Sequence, residues 1–373
     1  MSTKPNFQTH RYLLQTIDPV HIGTGGMRLG RVDNSIVREP GTRLPKIPGT
    51  SLSGAIRHYA AYRYGKRDCA GQAGHCGRPT CPICYTFGSI SGEGEQQKSF
   101  AGVVSIGDAR ILLFPVYSMA GPVWVTSPSA LEDLSIKGQT VSKDKAKVAS
   151  GLITHEYLNL GWLMVAKESG HLELDGLSDL PDPVRKRIVL VSDKVFSQVV
   201  NSNLEVRTSV SIDPETGAAN KGALFTYEAI PRAAFLWMDV VVDDYRRAFP
   251  AYDELEGWKK ILDDAKASDA GVFDILNRIG GFLRKYAAPV NNKSGDYEKD
   301  FGNARVKMLG YIQEEKTQYK AATLRDKRWK NAETDTPADV VTAGLEWAEH
   351  LGIGGMGTRG FGRIRMINCH KVG

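Results

Sequence analysis

The chain has 373 residues, of which 42% are hydrophobic and 24% are charged, a composition typical of a globular protein with a sizeable core. Lys and Arg number 48 against 42 Asp and Glu, and this net charge of +6 favours a partner rich in phosphate. No apolar run approaches the roughly 20 residues that cross a bilayer, and the first residues lack the pattern of a secretory signal. We therefore expect a cytoplasmic protein with no membrane partner.

Hydrophobic patterns along the chain predict alternating strands and helices. Residues 11–17 (RYLLQTI) predict a strand, and residues 51–65 predict a helix because Leu52, Ile56 and Tyr59 recur three or four positions apart. Later segments predict further strands over 102–116, 123–128, 187–193, 233–242 and 362–369, and helices over 251–265, 271–287 and 337–350. This order predicts a ferredoxin-like α+β fold with large insertions. The polar stretch 288–336 is predicted to be a mobile insertion.

Four of the five cysteines lie in one short segment, as Cys69, Cys76, Cys81 and Cys84. The last two form CPIC, a spacing that lets two thiolates bind one tetrahedral ion. The alternative is a pair of disulfides or idle thiols, but a cytoplasmic chain of this size neither needs nor keeps disulfides. We predict a structural zinc with four protein ligands, with His75 as a spare ligand.

Glycines cluster in HIGTGG at 21–26, in the cysteine segment and in LGIGGMGTRGFGRI at 351–364. The first and last loops would meet in space if the terminal strands are neighbours. The last loop also carries Arg359, Phe361 and Arg363, which suit contact with a nucleic-acid backbone. GIGGMG superficially matches a dinucleotide-binding loop, but no strand precedes it. A tight turn between a helix and a strand is the other alternative.

Residues 206–231 alternate apolar and polar side chains on each side of a DPETG turn. This pattern predicts a long two-stranded hairpin. Because few large apolar residues lie near the tip, we expect the hairpin to project toward a partner and not into a core.

Several segments jointly resemble the RAMP superfamily of CRISPR effector proteins, and within it the backbone subunit of type III-B complexes. The segments are HIGTG, LGRVDNSIVRE with PKIPGTSLSGAIRH, SIGDARILLFPVYS with VWVTSP, SIDPETGAANKGALFTYEAIP and GIGGMGTRGFGRIRM. The match covers most of residues 11–245 and the chain from residue 345 onward. The cysteine segment and the insertion before residue 337 depart from the compact members, and similar cysteines in other type III backbone subunits leave types III-A and III-D open.

The resemblance implies a single RAMP palm domain over residues 1–373, built as a modified RNA-recognition fold. It also implies a β-hairpin thumb at 204–231. Outside the resemblance, we predict a zinc-binding insertion at 64–100, a helical insertion and the polar, mobile insertion at 288–336. Several copies would stack head to tail along a guide RNA with other type III effector subunits, and each thumb would wedge into the guide–target duplex.

The resemblance also implies that Asp33 is required to cut target RNA beside each displaced base. The carboxylate would either hold a divalent cation, Mg²⁺ or Mn²⁺, or accept the proton of the attacking 2′-hydroxyl. His21 and Glu228 are candidate catalytic helpers, and each is alternatively a structural hydrogen-bonding residue. For Asp33 the alternative is an Asp that stabilises a turn by binding backbone amides.

Guide-RNA contacts are expected at basic, small polar and glycine residues, namely Arg38, Lys46, Ser51, Ser53, Arg57, Gly354, Gly355, Arg359, Gly360 and Arg363. Two other functions compete with target cleavage. One is a non-cleaving guide-RNA-binding subunit in which Asp33 is silent. The other is a stand-alone guide-processing ribonuclease, which would want paired histidines, and the eight histidines of the chain form no obvious pair.

Overall fold

The computed structural model describes residues 7–25, 32–71, 74–77, 81–91, 98–245, 252–269, 271–282, 296–323 and 336–372. The chain divides into two compact units. The sheet unit contains Thr9–Ala55, Ile106–Val240 and Glu346–Gly373. The helical unit contains Met1–Gln8, Ile56–Ser105 and Val241–Leu345. The single palm domain with insertions stays a prediction.

The described strands and helices alternate along the chain. The strands are β1 Gln8–Thr16, β2 Lys46–Ile47, β3 Ser89–Ser91, β4 Lys98–Phe100, β5 Val104–Ile106, β6 Ala109–Ser118, β7 Gly121–Thr126, β8 Lys145–Ala149, β9 Tyr157–Leu160, β10 Leu163–Leu172, β11 Ile188–Val191, β12 Glu205–Ile212, β13 Ala219–Ala229, β14 Phe235–Val242 and β15 Ile364–Val372. The helices are α1 Gly49–Arg63, α2 Pro82–Phe87, α3 Pro128–Glu132, α4 Asp182–Arg185, α5 Asp193–Ser202, α6 Tyr252–Asp264, α7 Val272–Phe282, α8 Tyr297–Thr323 and α9 Pro337–Leu351.

The sheet unit is organised around one large, mostly antiparallel sheet. Its strand order is β15-β1-β14-β6-β7-β11-β8-β10-β9, with β2 added beside β6. Strand β7 pairs with β11, and β8 with β10, in parallel, whereas β1–β15, β14–β6, β6–β7, β8–β11 and β9–β10 are antiparallel pairs. At this level the mixed fold of strands and helices that the sequence predicts is confirmed.

Strand β6 runs through the core of the sheet unit. Ile111, Leu112, Leu113 and Phe114 are all buried in succession, at most 3% exposed. Because consecutive residues of a strand point to opposite faces, both faces of the sheet are covered at this strand. Each such side chain stabilises the fold by about 1.5–3 kcal/mol relative to an exposed one.

The helical unit contains two described apolar clusters. The first joins helices α6, α7 and α8, and its buried members include Leu255, Leu276 and Met308. The second surrounds the cysteine segment, where Cys69, Cys81 and Cys84 pack with α1 and α9 side chains. None of the described helices combines the length and apolar character of a bilayer-spanning segment.

Most of the predicted elements are confirmed, with two differences. The single strand predicted over 102–116 is wrong, because the chain breaks between β5 and β6, where the Gly107 amide donates to Asp239 O at 2.9 Å. Within the predicted insertion 288–336, residues 297–323 form helix α8. Residues 288–295 and 324–335 of that insertion, and 283–287 of a predicted helix, lie outside the described residues.

The two glycine loops meet, as the sequence predicts, because β1 and β15 are antiparallel neighbours. The amide of Gly355 donates to His21 O at 3.1 Å, and the amide of Gly362 donates to Pro19 O at 2.8 Å. Gly354 lies against the first loop with φ +86°, and a Cβ added there would lie 2.5 Å from His21 O. Only glycine fits this position without displacing backbone.

We expect Gly354→Ala to destabilise the sheet unit by about 2–4 kcal/mol, because it adds a backbone clash to the strain of positive φ. Gly217→Ala is the matched control, since Gly217 has φ +64° with open space around its Cα. That control should lose only about 1–2 kcal/mol. Melting temperatures of the two purified variants test this, and equal shifts would contradict a close approach at Gly354.

Candidate functional site

Strand β13 is paired on one edge with β12 and on the other edge with segments of the N-terminal loop region. Residues Glu205–Ile212 of β12 run antiparallel to β13, with Thr208 opposite Thr226. On the other edge, Asn34 N donates to Thr226 O and Glu228 N donates to Asn34 O, both at 3.0 Å. Along a strand, the N–H and C=O groups of successive residues point alternately to its two edges. The backbone groups of residues 226 and 228 therefore face away from β12 and bind this loop region. This edge is where the predicted catalytic residues gather.

Asp33 is held on this edge by one threonine. The backbone N–H and the hydroxyl of Thr226 each donate to Asp33 Oδ2 at 2.8 Å. In return the amide of Asp33 lies 3.0 Å from Thr226 Oγ1. The Thr226 backbone hydrogen bond is the main reason that the pKa of the Asp33 carboxyl is lowered from its ordinary value. The half-buried Asp33 side chain is therefore ionised at neutral pH.

Glu228 is engaged by both of its carboxylate oxygens. Oε1 accepts from Arg38 Nη2 at 2.6 Å, and Oε2 accepts from the Ile36 amide at 3.2 Å. Glu228 is only 8% exposed. Arg38 also donates to Asn201 Oδ1 of α5 at 2.9 Å. A buried ion pair of this kind costs about 3–5 kcal/mol when one partner is removed, so Glu228 and Arg38 have a structural part in the site.

His21 connects this edge to the C-terminal glycine loop. Its Nδ1 lies 2.6 Å from Glu228 O, and its ring stands edge-on to Tyr227 with ring centroids 5.6 Å apart. A carbonyl oxygen can only accept, so Nδ1 carries the proton and, in the neutral ring, Nε2 is an acceptor. The His21 carbonyl accepts from Gly355, as described above. Asp33 and His21 thus both contact the Thr226–Glu228 stretch of β13, to which Glu228 itself belongs.

The arginines of the C-terminal glycine loop have different partners. Arg363 forms an ion pair with Asp18 at 2.5 Å, and this contact lowers the pKa of Asp18. Arg359 Nη1 donates to the neutral Ser209 hydroxyl of β12 at 3.2 Å. Phe361 is buried, and the Arg207 guanidinium lies 4.8 Å from the centre of its ring. Among these described contacts, the charge of Arg359 is the least compensated.

The loop joins α9 to β15, so a helix precedes it and a strand follows it. A dinucleotide-binding loop requires a strand before it and a helix after it. The superficial glycine match is therefore not a dinucleotide site. Gly360, like Gly354, has positive φ, at +78°.

The remaining predicted RNA contacts lie in two places. In the sheet unit, Lys46 Nζ lies 2.5 Å from Asp108 Oδ2, while Asp108 Oδ1 accepts from Gly49 at the start of α1. Ser51 and Ser53 follow in the first turns of that helix and are half-buried. Arg57 belongs to the helical unit, where it donates to Cys69 O at 2.8 Å and to Gly88 O at 3.0 Å. These hydrogen bonds give Arg57 a bracing role in the cysteine segment.

The four predicted zinc ligands form a compact group in the helical unit. The Sγ atoms of Cys69, Cys76, Cys81 and Cys84 all lie within 4.8 Å of one another. Cys69 Sγ is 3.8 Å from Cys81 Sγ and 3.6 Å from Cys84 Sγ, and Cys76 Sγ is 3.7 Å from Cys84 Sγ. Tetrahedral zinc with Zn–S bonds of 2.3 Å places its sulfurs about 3.8 Å apart. The donor set and its spacing therefore fit a zinc ion.

His75 is not part of this group of four. Its Nδ1 accepts from the Ile90 amide at 2.9 Å. The ring is thus oriented by strand β3, and the cysteines alone supply four ligand atoms. A metal centre with four protein ligands has no open position for a substrate.

Several residues of the site could not be found from the sequence pattern. Thr226 contacts Asp33 across 193 positions, and Asn201 contacts Arg38 across 163 positions. Asp18 and Asp108, which pair with Arg363 and Lys46, are likewise distant from their partners. Their only sequence signal is residue type, since each is an acid or a small polar residue.

Comparison with known proteins identifies the family of this chain. The model of the RAMP superfamily matches residues 13–365, and the chain belongs to this superfamily. It resembles a Cmr4-like subunit of type III-B complexes, which confirms the resemblance seen in the sequence. It is 30% identical over 254 residues to the CRISPR system Cmr endoribonuclease Cmr4 of Pyrococcus furiosus, covering 61% of this chain and 80% of that protein. It is also 38% identical over 74 residues to the CRISPR system Cms endoribonuclease Csm3 of Methanothermobacter thermautotrophicus, covering 19% and 29% of the two chains.

Among solved structures, the chain is similar to one in a cryo-EM structure of the type III-B Cmr-beta bound to cognate target RNA. The TM-score is 0.48 at 17% identity, covering 63% of this chain and 84% of the other. A crystal structure of Cmr4 has a TM-score of 0.42 at 19% identity, covering 73% and 89%.

We expect one zinc ion per chain, lost in Cys81→Ser/Cys84→Ser. Hydrogen bonding with Cys69 and Cys76, together with burial, raises the pKa of Cys81 and Cys84. Zinc must displace these protons, so its affinity should rise with increasing pH and fall in acid. Elemental analysis and chelator competition between pH 6 and 8 measure this, with Cys369→Ser as the control. Absence of zinc from the reduced wild-type protein would contradict the assignment.

Proposed function

We propose that this protein is a backbone subunit of a type III CRISPR effector complex. It binds guide RNA along a filament of its own copies, together with other effector subunits, and cleaves complementary target RNA at regular intervals. Membership of the RAMP superfamily and the similarity to a relative named as an endoribonuclease support this class of function. The observation that carries the cleavage step is the ionised Asp33 carboxylate, fixed by Thr226 beside the hairpin base.

The palm is proposed to be ferredoxin-like. The sheet places the last strand, β15, beside the first, β1, followed by β14 and β6. Helix α1 lies in the chain between β1 and β6, and helix α9 between β14 and β15. This chain order, with the first and last strands adjacent, supports a βαββαβ palm into which the remaining elements are inserted.

The antiparallel pair β12–β13 is proposed to be the thumb. Its outer residues include exposed apolar side chains, among them Ile212 at 59% and Leu224 at 63%. Apolar side chains that lack a protein core around them suit wedging between stacked bases. Because β13 also carries Thr226 and Glu228, the hairpin that would displace a base is continuous with the strand that positions Asp33.

The reaction we propose is attack of a ribose 2′-hydroxyl on the phosphorus of the adjacent 3′-phosphate. A bond forms between the 2′ oxygen and phosphorus, the bond to the 5′ oxygen breaks, the hydroxyl proton leaves and the 5′ oxygen takes one up. The products are a 2′,3′-cyclic phosphate and a 5′-hydroxyl. A kinked nucleotide aligns these atoms, and alignment alone supplies much of the acceleration.

Asp33 is proposed to hold a divalent cation, Mg²⁺ or Mn²⁺, against the phosphate. A lowered pKa makes the Asp33 carboxylate a weak general base but a good oxygen ligand. Such cations are commonly held by one or two carboxylates together with substrate phosphates and water. When bound, the cation would neutralise the charge that develops on the phosphate. Glu228, His21 and Arg38 maintain the backbone around Asp33.

The cysteine cluster is proposed to hold a structural zinc that keeps the segment 64–100 folded. Guide RNA is proposed to lie along the glycine loop and the start of α1, where Arg359, Lys46, Ser51 and Ser53 are found. The alternative function is a non-cleaving guide-RNA-binding subunit, in which the Thr226 contacts make Asp33 purely structural. The cleaving function requires the negative charge of Asp33, whereas the non-cleaving function does not.

We expect Asp33→Asn to lower target cleavage at least about 100-fold while guide binding stays unchanged, because the amide keeps its shape but loses the charge that holds a cation. Asp339→Asn is the matched control, since Asp339 Oδ2 also accepts from the amide and hydroxyl of one threonine, Thr336. Gel analysis of target RNA cut by the guide-bound complex measures both. Undiminished, evenly spaced cuts by Asp33→Asn would favour a structural Asp33.

We expect Arg359→Gln to weaken guide-RNA binding and to lower the slope of log affinity against log salt by about one. Arg363→Gln should have a smaller effect because Asp18 already offsets its charge. Arg365→Gln is the charge-matched control, because Arg365 of β15 is paired with Glu349 of α9. Filter binding at several salt concentrations tests this. An Arg359→Gln affinity equal to that of wild type at every salt concentration would show that the loop is a turn only.

A further inference from the structure

The Asp33 carboxylate is bound asymmetrically. Both Thr226 donors reach the same oxygen, Oδ2. Within the described residues, Oδ1 receives no hydrogen bond. A single threonine therefore distinguishes two oxygens that are otherwise chemically equivalent.

We propose that Thr226 is a positioning residue for the cleavage reaction, which fixes Asp33 through Oδ2 and thereby presents Oδ1 to the cation and the RNA phosphate. This inference rests on the proposed function of Asp33 and adds the residue that determines which of its oxygens acts. Free carboxylates rotate about their Cβ–Cγ bond. A carboxylate anchored at one oxygen loses that freedom before the substrate binds.

The backbone of β13 explains why residue 226 has this role. Its amide is on the edge of the strand away from β12, because the pairing with Asn34 uses the carbonyl of the same residue. The amide is thus available to a side chain, and Asp33 is the residue directly before Asn34. The register between residues 33–34 and β13 therefore brings the carboxylate to this one amide.

The side chain of Thr226 adds a second donor in a fixed direction. Threonine is branched at Cβ, which limits χ1 and suits a strand. Its hydroxyl donates to Asp33 Oδ2 and also accepts from the Asp33 amide. One hydroxyl thus fixes both the backbone and the carboxylate of the same residue. Valine would keep the shape of the side chain but lose both hydroxyl contacts, to Asp33 Oδ2 and to the Asp33 amide. Serine would keep both hydroxyl contacts.

The position of Asp33 is also tied to the hairpin by this arrangement. Thr226 lies opposite Thr208 in the β12–β13 pair, and Ser209 next to it receives the hydrogen bond from Arg359. A displacement of the hairpin base would therefore be transmitted to Asp33 through Thr226. This places base displacement and presentation of the carboxylate on the same strand.

The test compares variants in the assembled, guide-bound complex, with target cleavage followed over a range of Mn²⁺ or Mg²⁺ concentrations. Thr226→Val should slow cleavage about 10- to 100-fold and raise the metal concentration needed for half-maximal rate, as loss of a partner that orients a metal ligand does. Thr226→Ser should retain a rate within about threefold of wild type, since both donors remain. Guide-RNA affinity should be unchanged in all of them.

Thr336→Val is the control for loss of a threonine–carboxylate contact as such. Thr336 donates through its amide and its hydroxyl to Asp339 Oδ2, at 2.8 and 2.6 Å, at the start of α9. This variant should leave the cleavage rate and its metal dependence unchanged.

The outcomes separate the inference from the proposed function. If Asp33→Asn abolishes cleavage but Thr226→Val cuts at the wild-type rate with the wild-type metal dependence, Thr226 has no positioning role although Asp33 is catalytic. If Thr226→Ser is as slow as Thr226→Val, the hydroxyl is not what acts, and the inference is likewise overturned. If Asp33→Asn cuts normally, the proposed function fails and the inference fails with it.

Discussion

Strand β13 has two edges, and the outer one must find hydrogen-bond partners that β12 does not supply. Unpaired backbone groups on a strand edge are costly when buried and hazardous when exposed. Here they are satisfied by His21, Asp33 and Asn34, which lie more than 190 positions earlier in the chain. The same pairing aligns three side chains, Asp33, Glu228 and His21, along one stretch of strand. The candidate site follows from the need to complete this edge.

Several arginines of the sheet unit already have acidic partners within the chain. Arg38 pairs with Glu228, Arg11 with Asp239 and Arg363 with Asp18, at 2.5 to 2.8 Å. Each such pair removes one cation and one anion, so the net charge of +6 comes from other basic residues. Arg359, whose described partner is the neutral Ser209, remains the strongest candidate for a phosphate contact. Asp33 is the opposite case, an ionised acid whose described partners in the site are hydrogen-bond donors without charge.

The sequence was informative where short-range chemistry determines structure. The CPIC spacing predicts the cysteine group and the DPETG turn predicts the β12–β13 pair, and both are present. The meeting of the two glycine clusters depends on the long-range pairing of β1 with β15. The large sheet follows less directly, because β8 and β9 have only five and four residues and β10 carries Lys167 and other polar residues. Helix α8 escaped notice because Gly302, Gly310 and many charged residues obscure the spacing of Phe301, Ala304, Met308 and Ile312.

The sequence predicts which residues belong to the candidate site, but not which of them contact one another. Asp33 could be named from the resemblance, and His21 and Glu228 from their positions in the glycine loop and the hairpin. The engagement of both Glu228 oxygens, however, depends on Arg38 and Ile36. The fixing of Asp33 depends on Thr226, which no local pattern connects to it. Arg57 stays a predicted RNA contact, and its hydrogen bonds to the cysteine segment could not be read from its position in α1. Long-range pairing of strand edges determines these roles, and spacing along the chain does not record it.

In the proposed reaction, a ribose 2′-hydroxyl of the target RNA attacks the phosphorus of the adjacent 3′-phosphate beside Asp33. The most direct measurement uses target RNA with a single 2′-deoxy nucleotide immediately 5′ of one cleavage position. The guide-bound complex should bind this target normally, lose that one cut and keep the neighbouring cuts. Persistence of the cut at the deoxy position would contradict the account, because cleavage would then require another nucleophile.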